Sequence, residues 1–255
     1  MTFEEAKMAY QKFLDKNDLT PKDLLRIETH IETMKDWSQI KRHEDVLEWL
    51  QDHRQKCSME VSEISLNDCK DWEFDTINGL IKHKTGLFFT VQGLRVKNSK
   101  TREVGFKGWD QPILKETSFN GGIIGIIRQK INSVPHYLVE AKAEPGNPDL
   151  VQLSPSLQAT FSNIEQSHGG RKPYLLDYFT KPLELGCTTL FDQWMSEDGG
   201  RLYNKKNRGM LVQIPDSLEI SLENTFTWLS LFQIKSLIKQ DGLVNPHVRG
   251  LISHL

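Results

Sequence analysis

Hydrophobic positions in the first part of the chain recur at helical spacing. Phe3, Ala6 and Tyr10 begin one stripe, and Thr20 followed by Pro21 predicts a second helix start, with an N-cap and a proline at the first helical position. The next stripe consists of Leu24, Ile27, Ile31 and Met34. We therefore interpret residues 1–43 as an N-terminal helical segment for docking or dimerisation, without chemistry of its own.

The pattern changes after a third predicted helix, His43 to Arg54. Apolar and polar residues then alternate with period two in MEVSEISL (59–66), GLIKHKTGLFFTVQGLRVK (79–97) and HYLVEAKAE (136–144), as in strands. GGIIGIIRQ (121–129) is continuously apolar, which is typical of a buried strand. GMLVQIPDSLEI (209–220) predicts another strand, and FTWLSLFQIKSLIKQDGLV (226–244) predicts a closing helix ended by Gly242. Residues 44–255 thus predict an α+β module with a mixed, curled sheet flanked by helices.

Composition narrows the class of protein. The 255 residues are 38% hydrophobic and 26% charged, and the net charge of −2 argues against a nucleic-acid binder. Cys57, Cys69 and Cys187 have no zinc spacing and cannot form a closed disulfide set. The charged N-terminus is unlike a signal peptide, and no apolar run is long enough to cross a membrane. These features predict a soluble cytoplasmic protein that binds neither nucleic acid nor membrane.

One strand and the segment after it carry an unusual set of polar side chains. Glu140, Lys142 and Glu144 lie two residues apart and therefore share one face of a strand. A solvated strand edge is the alternative interpretation, but the prolines that follow restrict the backbone. The polar residues of that restricted segment are Gln152, Ser154, Gln158, Thr160, Ser162 and Asn163. A rigid wall of donors and acceptors suits recognition of sugars and nucleobases.

Two further stretches are candidates for chemistry. His168 precedes Gly169 and Gly170, so a ligand could approach it closely, and its ordinary pKa suits acid–base work. A surface-loop histidine is the alternative. The second stretch runs from 196 to 208, where Tyr203, Lys205, Lys206, Asn207 and Arg208 follow Gly199-Gly200 and could hold a diphosphate. An exposed basic turn is the alternative there.

Together these stretches resemble the nucleoside-diphosphate-hexose 2,3-dehydratases of deoxysugar and antibiotic biosynthesis. The matching segments include WEFDTINGLIKHKTGLFFTVQG, GWDQPIL, GGIIGII, YLVEAKAEPGNPDLVQLSPSLQATFSN, HGGRKPYLLDYF, SEDGGRLYNKKNRGM and FTWLSLFQIKSLI. They follow the family order from about residue 44 to the end of the chain.

The resemblance implies a hydro-lyase that eliminates water from a dTDP-4-keto-6-deoxyhexose, without metal or cofactor, to give a 3,4-diketo-2,6-dideoxy sugar. The elimination needs a base, an acid and a donor at the ketone oxygen. Glu144 and His168 are the base and acid candidates in either order, with Lys142 near the enolate. The expected substrate-binding residues are Trp109, Gln111, Gln152, Ser154, Thr160, Asn163, Tyr203, Lys206, Asn207 and Arg208. An NADPH-dependent 3-ketoreductase is the expected downstream partner.

The family resemblance also implies a Nudix-like fold, but no Nudix box of metal-binding glutamates is present in the sequence. Family members carry two copies of the module and this chain carries one, so a homodimer is expected to replace the pair. Two alternatives remain open. The module could bind a nucleotide sugar without catalysis, as a partner subunit, or use the same pocket for another elimination or isomerisation on a different activated substrate.

Overall fold

The structure is a computed structural model that describes residues 1–13, 19–97, 107–116, 121–166, 171–196 and 201–255. Its helices are α1 (Phe3–Phe13), α2 (Pro21–Glu32), α3 (His43–Gln55), α4 (Phe161–Ile164), α5 (Leu176–Thr180), α6 (Leu231–Ile238) and α7 (Pro246–Ile252). Its strands are β1 (Trp72–Asp75), β2 (Leu80–His83), β3 (Phe89–Val96), β4 (Trp109–Glu116), β5 (Gly122–Ile131), β6 (Val134–Ala143), β7 (Val151–Pro155), β8 (Leu157–Thr160), β9 (Thr188–Ser196), β10 (Lys206–Gln213) and β11 (Phe226–Leu229).

The predicted helix starts near the N-terminus are confirmed. Thr20 caps α2: its hydroxyl accepts a hydrogen bond from the Asp23 backbone N–H, and the Asp23 carboxylate accepts one from the Thr20 N–H. This reciprocal pair satisfies two backbone donors that the helix itself leaves open. The third predicted helix, α3, begins at His43.

The larger sheet has the strand order β11-β6-β5-β10-β9, with β7 paired to β6 and β8 paired to β5. Strands β5 and β10 are parallel and the other pairs are antiparallel, so the sheet is mixed. The predicted α+β class, with a mixed sheet and preceding N-terminal helices, is confirmed.

Two hydrophobic cores lie on opposite faces of this sheet, because alternate residues of a strand point to opposite sides. The first core contains Ile124, Ile126 and Tyr137, and helices α3, α6 and α7 cover it. The second core contains Ile123 and Ile127, and helix α5 covers it. The buried strand predicted from GGIIGIIRQ therefore supplies side chains to both cores.

Gly125 in that strand allows α5 to approach closely. A β-carbon at this position would lie 2.1 Å from the ring of Phe179, which is 1% exposed. The ring therefore packs directly on the glycine backbone, and a larger residue would push α5 away from the sheet.

A buried ion cluster holds α2 against the larger sheet. Arg128 of β5 is fully buried and donates to Glu28 at 2.5 Å and to Glu32 at 2.7 Å, while the Tyr137 hydroxyl donates to Glu32 at 2.7 Å. Burial alone would raise the pKa of Glu28, but Arg128 and Lys130 outweigh it and hold this pKa at about 2. The N-terminal helices thus pack on the module of their own chain.

The smaller sheet, β1-β2-β3-β4, contacts the segment that leads into β10 of the larger sheet. Leu114 of β4 bridges to Leu202, and the Tyr203 N–H donates to the Leu114 carbonyl at 2.8 Å. Strands β1 to β3 and the turns beside them leave large apolar side chains exposed, including Phe74 at 64% and Ile77 at 93%.

Two expectations for secondary structure are wrong. The segment MEVSEISL forms no strand; residues 57–65 run as irregular chain into a short 3₁₀ turn at Leu66–Asp68. The predicted closing helix is divided, because Ser230 accepts a hydrogen bond from the Gln233 N–H and starts α6 there. The residues before that cap form strand β11, in which Thr227 and Leu229 alternate as buried positions.

Candidate functional site

The polar segment 151–160 fills a fork in the larger sheet. Strands β5 and β6 pair with each other only near the hairpin that joins them, and then they diverge. Beyond that point, the second half of β6 pairs with β7, and the first half of β5 pairs with β8. Ser156 lies where they divide: its hydroxyl accepts from the Ile127 N–H at 2.9 Å and donates to the Leu138 carbonyl at 2.5 Å. This buried serine, absent from the sequence-based candidates, fixes the fork.

The strand registers bring most candidate residues to one end of the sheet. The last residues of β6 and β9 and the first residues of β5, β10 and β11 all lie at that end. We call it the fork end. Glu140 and Lys142 point to the face of the second core, and Lys206 and Arg208 lie on the same face because they alternate with Met210 in register.

Glu140 is the most perturbed acid at the fork end. Burial raises the pKa of its carboxyl to about 7, Lys142 opposes this, and Glu223 and Glu144 add to it. In the part of the chain that the structure describes, this carboxyl has no hydrogen bond or ion pair. Its register partner across the ladder is Ser154, whose buried hydroxyl also has no hydrogen-bond partner there. A half-buried carboxyl without a partner in the described residues therefore lies beside a buried hydroxyl without one.

Glu144, the predicted base or acid, is held by its neighbours. Its Oε1 lies 3.3 Å from the ammonium of Lys142 and accepts a hydrogen bond from the Gln158 amide at 3.2 Å. The Oε1 of Gln158 is buried and lacks a partner among the described residues. Lys142 is thereby positioned between Glu144 and the Glu140 carboxyl on the same strand face.

Several residues of the predicted polar wall bond within the chain. Gln152 is buried, and its amide donates to the Gly242 carbonyl at 2.8 Å. The hydroxyl of Thr160 caps α4 by accepting from the Asn163 N–H at 3.3 Å. These three residues stabilise the walls of the fork, while Ser154 and Glu140 face it.

The predicted basic run divides into paired and unpaired cations. Lys205 forms an ion pair with Glu116, and Arg208 donates to both oxygens of Asp192, at 2.7 and 2.5 Å. Lys206 makes no ion pair within the described ranges.

An aromatic pair accompanies that unpaired lysine. The Lys206 ammonium lies 5.1 Å above the ring of Trp194, which is 48% exposed and whose centroid is 6.1 Å from that of Phe161. Phe161 directly follows Thr160, so the basic run and the polar wall meet here. An exposed tryptophan beside a strand end is a signal that the sequence interpretation missed.

Other predicted residues lie further away or outside the description. Asn207 is buried on the opposite face of β10 from Lys206. Trp109 donates to Gln111 at 2.6 Å on β4, and Trp109 lies five residues, roughly 17 Å, before Leu114, where β4 meets Leu202. Tyr203 lies beside this junction. His168 lies outside the described residues, as do Gly199 and Gly200, and remains a prediction.

The described ranges contain neither a cluster of metal ligands nor a membrane-spanning helix. No group of three or more histidine, cysteine, aspartate or glutamate side chains there is arranged to hold a metal ion. None of the described helices has the length and apolar character needed to cross a bilayer.

The family described as NDP-hexose 2,3-dehydratase matches residues 43–255. A dTDP-4-dehydro-6-deoxy-alpha-D-glucopyranose 2,3-dehydratase from Amycolatopsis orientalis is 36% identical over 84% of this chain and 45% of its own length. Proteins with the same description from Saccharopolyspora spinosa and Streptomyces violaceoruber are 38% and 32% identical, over 80% and 76% of this chain and 40% and 42% of their own lengths. The chain thus spans less than half the length of these relatives.

Among solved structures, a C. elegans Ap4A hydrolase matches 48% of this chain and 89% of its own, at 10% identity and a TM-score of 0.29. The NUDIX domain of Shewanella oneidensis NrtR in complex with ADP ribose matches 54% of this chain and 88% of its own, at 8% identity and a TM-score of 0.30. Scores of this size carry no argument, so the Nudix-like part of the expected fold stays a prediction.

Proposed function

The chain belongs to the NDP-hexose 2,3-dehydratase family, and on this basis we propose that it removes water from a dTDP-4-keto-6-deoxyhexose at the fork end. The observation that carries the proposal is the half-buried Glu140 carboxyl, whose pKa is raised and which has no hydrogen bond or ion pair within the described residues. A carboxyl with a pKa of about 7 is suited to general base catalysis near neutral pH.

In the proposed reaction, Glu140 removes the proton from sugar carbon 3, which the neighbouring 4-ketone makes acidic. The electron pair of the broken C–H bond forms the enolate, whose negative charge rests on the ketone oxygen. The enolate then expels the hydroxyl of carbon 2, which leaves as water after it receives a proton. The resulting enol tautomerises to the 3,4-diketo-2,6-dideoxy sugar, so one water is lost and no redox change occurs.

Lys142 is positioned to stabilise the enolate oxygen, because an ammonium near a developing negative charge lowers the barrier to its formation. Glu144 orients this lysine through their 3.3 Å ion pair, which gives Glu144 a positioning role instead of the base or acid role expected from the sequence. His168 is kept as the candidate acid for the leaving hydroxyl.

The nucleotide part of the substrate is proposed to extend toward Lys206. β7 and β8 lie between β6 and β5 at the fork end, and β10 lies beyond β5, so the span from β6 to β10 there exceeds the two strand spacings, about 10 Å, that a continuous sheet would give. An extended sugar nucleotide can cover this span, with its diphosphate near the unpaired Lys206 and its base on the exposed Trp194. Arg208 and Lys205 are neutralised by Asp192 and Glu116, so they support the wall in this account.

We further propose that the chain acts as a homodimer whose second copy covers the smaller sheet. The exposed apolar side chains Phe74, Ile77 and Phe89 support a contact, since a monomer rarely leaves such a patch open. The matched relatives are more than twice as long as the part that this chain covers, which leaves room in them for a second module. Sedimentation of the wild-type chain and of Phe74→Asp tests this proposal; a monomeric wild type would contradict it.

A trapping experiment tests the activity. The chain is mixed with dTDP-4-keto-6-deoxyglucose, NADPH and a 3-ketoreductase, and the sugar nucleotides are followed by mass spectrometry. We expect a reduced 2,6-dideoxy sugar, because the reductase consumes the diketo product. Unchanged substrate that still raises the melting temperature of the protein would instead support a binding module without catalysis.

A further inference from the structure

A second cleft lies at the other end of the larger sheet, between the N-terminal helix α2, strand β9 and helix α6. Its volume is about 880 Å³, within the range of small-molecule sites. It adjoins Thr188, the first residue of β9, whereas Trp194 at the fork end lies six residues later, or roughly 20 Å along the strand. Its floor includes Leu211, which belongs to the first core, so the cleft is also on the opposite face from Glu140.

The ionisable side chains that line this cleft are all basic. Lys22, Arg26 and His30 line it from one face of α2, and Lys235 lines it from α6. Among the described residues no aspartate or glutamate side chain lines it, and Lys22, Arg26 and Lys235 form no ion pair. A concave surface lined by several cations and by no acidic side chain attracts an anion, and a guanidinium with several N–H donors suits a phosphate.

Helix α2 explains how these cations are kept apart from the acids of the same helix. Glu28 and Glu32 lie on the side that faces the sheet, where Arg128 and Tyr137 bind them. The opposite side therefore presents its basic and hydroxyl-bearing residues to the cleft, together with Pro21 and Leu25, and none of its acids. Because Glu28 and Glu32 are bound by the buried cluster, they form no ion pair with the cations of the cleft.

The cleft also contains a flat aromatic surface. The rings of Phe191 and His254 stack with centroids 3.9 Å apart and an angle of 22° between their planes, and both residues line the cleft. Such a surface can receive a planar ring by stacking. We propose that this cleft is a second binding site for a phosphate-bearing small molecule with a flat ring, about the size of a nucleotide.

Calorimetric titration of the full-length chain tests the site, with inorganic pyrophosphate and adenosine 5′-diphosphate as probes at constant ionic strength. Both probes are expected to bind, and the nucleotide more tightly, because only it can stack on the aromatic pair. Arg26→Ala and Lys235→Ala should each weaken binding about tenfold, since each removes a charge-assisted contact. His254→Ala should reduce the advantage of the nucleotide over pyrophosphate.

Two matched variants locate the binding. Lys239→Ala removes an exposed cation just beyond α6 and outside the cleft, and it should retain the affinity of the wild type for pyrophosphate. Lys206→Ala removes the cation proposed to hold a diphosphate at the fork end; it should abolish any pyrophosphate binding there and leave the binding that Arg26→Ala and Lys235→Ala weaken. Circular dichroism of each variant verifies folding. Absence of saturable binding would overturn the proposal, as would equal weakening by Lys239→Ala or weakening by Lys206→Ala alone. Because the substrate of the proposed dehydration is not needed, the result is independent of that activity.

Discussion

Replacement of Glu140 by glutamine should stabilise the protein at alkaline pH while it removes the activity. In the folded chain, burial raises the pKa of Glu140 from 4.5 to about 7, and in the unfolded chain the ordinary value returns. Below pH 4.5 the carboxyl is protonated in both the folded and the unfolded state, so it does not change the free energy of unfolding. Between the two values the unfolded state alone loses its proton, so the stability of the wild type falls as the pH rises.

The size of this effect follows from the shift. At 1.36 kcal/mol per pKa unit, the shift corresponds to at most about 3 kcal/mol of destabilisation, complete above pH 7 and reduced by the partial exposure of the side chain. Glutamine is neutral at every pH, so Glu140→Gln should be more stable than the wild type at pH 8 and close to it at pH 4.5. Glu184→Gln is the control, since that side chain is exposed and its variant should follow the wild-type profile.

Urea unfolding at a series of pH values measures the difference, and kcat/KM for the dehydration is measured in parallel. Because the base must be deprotonated, wild-type kcat/KM should rise with pH through about 7. The variant should lose roughly 10²- to 10⁴-fold, the usual contribution of a general base. A stability difference that does not change with pH, or a variant as active as the wild type, would refute the assignment.

Four other changes give independent tests. Arg128→Met should destabilise the fold by about 3–5 kcal/mol in urea unfolding, because Glu28 and Glu32 lose their buried counter-ion. A decrease in the free energy of unfolding below about 1 kcal/mol would contradict the buried cluster. Gly125→Ala should cost about 1–3 kcal/mol in the same assay, since the new methyl overlaps the Phe179 ring, and an unchanged midpoint would contradict that packing. Lys206→Ala should raise KM for the nucleotide sugar about tenfold with little change in kcat, and an unchanged KM would remove it from the diphosphate end. Treatment with a chelator followed by gel filtration should leave kcat unchanged, whereas activity that returns only with added metal would contradict a metal-independent elimination.

The sequence predicted much of the fold because its periodicities are strong. The apolar run 121–129 is long enough for a buried strand, and the Thr20-Pro21 pair sets a helix start through local hydrogen bonds. The division at Ser230 was missed because FTWL and the helix after it are both apolar, and only the capping hydrogen bond separates them. The alternation in MEVSEISL led to a wrong strand, since alternation alone does not supply a partner strand.

The site was predicted less completely, for a physical reason. The polar segment and the face that carries Glu140 could be recognised, but the sequence alone gave Glu144 the catalytic role. The difference between the two carboxyls depends on long-range contacts: β7 and β11 bury Glu140, while Gln158 across the fork holds Glu144. Trp194 and Lys206 also come together only through the pairing of β9 with β10.

The most direct test compares the wild-type chain with Glu140→Gln, each incubated with dTDP-4-keto-6-deoxyglucose in heavy water. The ketoreductase is present to trap the product, and the sugar is followed by mass spectrometry. The wild type should give a product that has lost one water and carries deuterium at carbon 2, where the enol collects its proton, and Glu140→Gln should return the substrate unchanged. Loss of water at the same rate in both chains would contradict the role of Glu140, and intact substrate with the wild type would contradict the proposed dehydration.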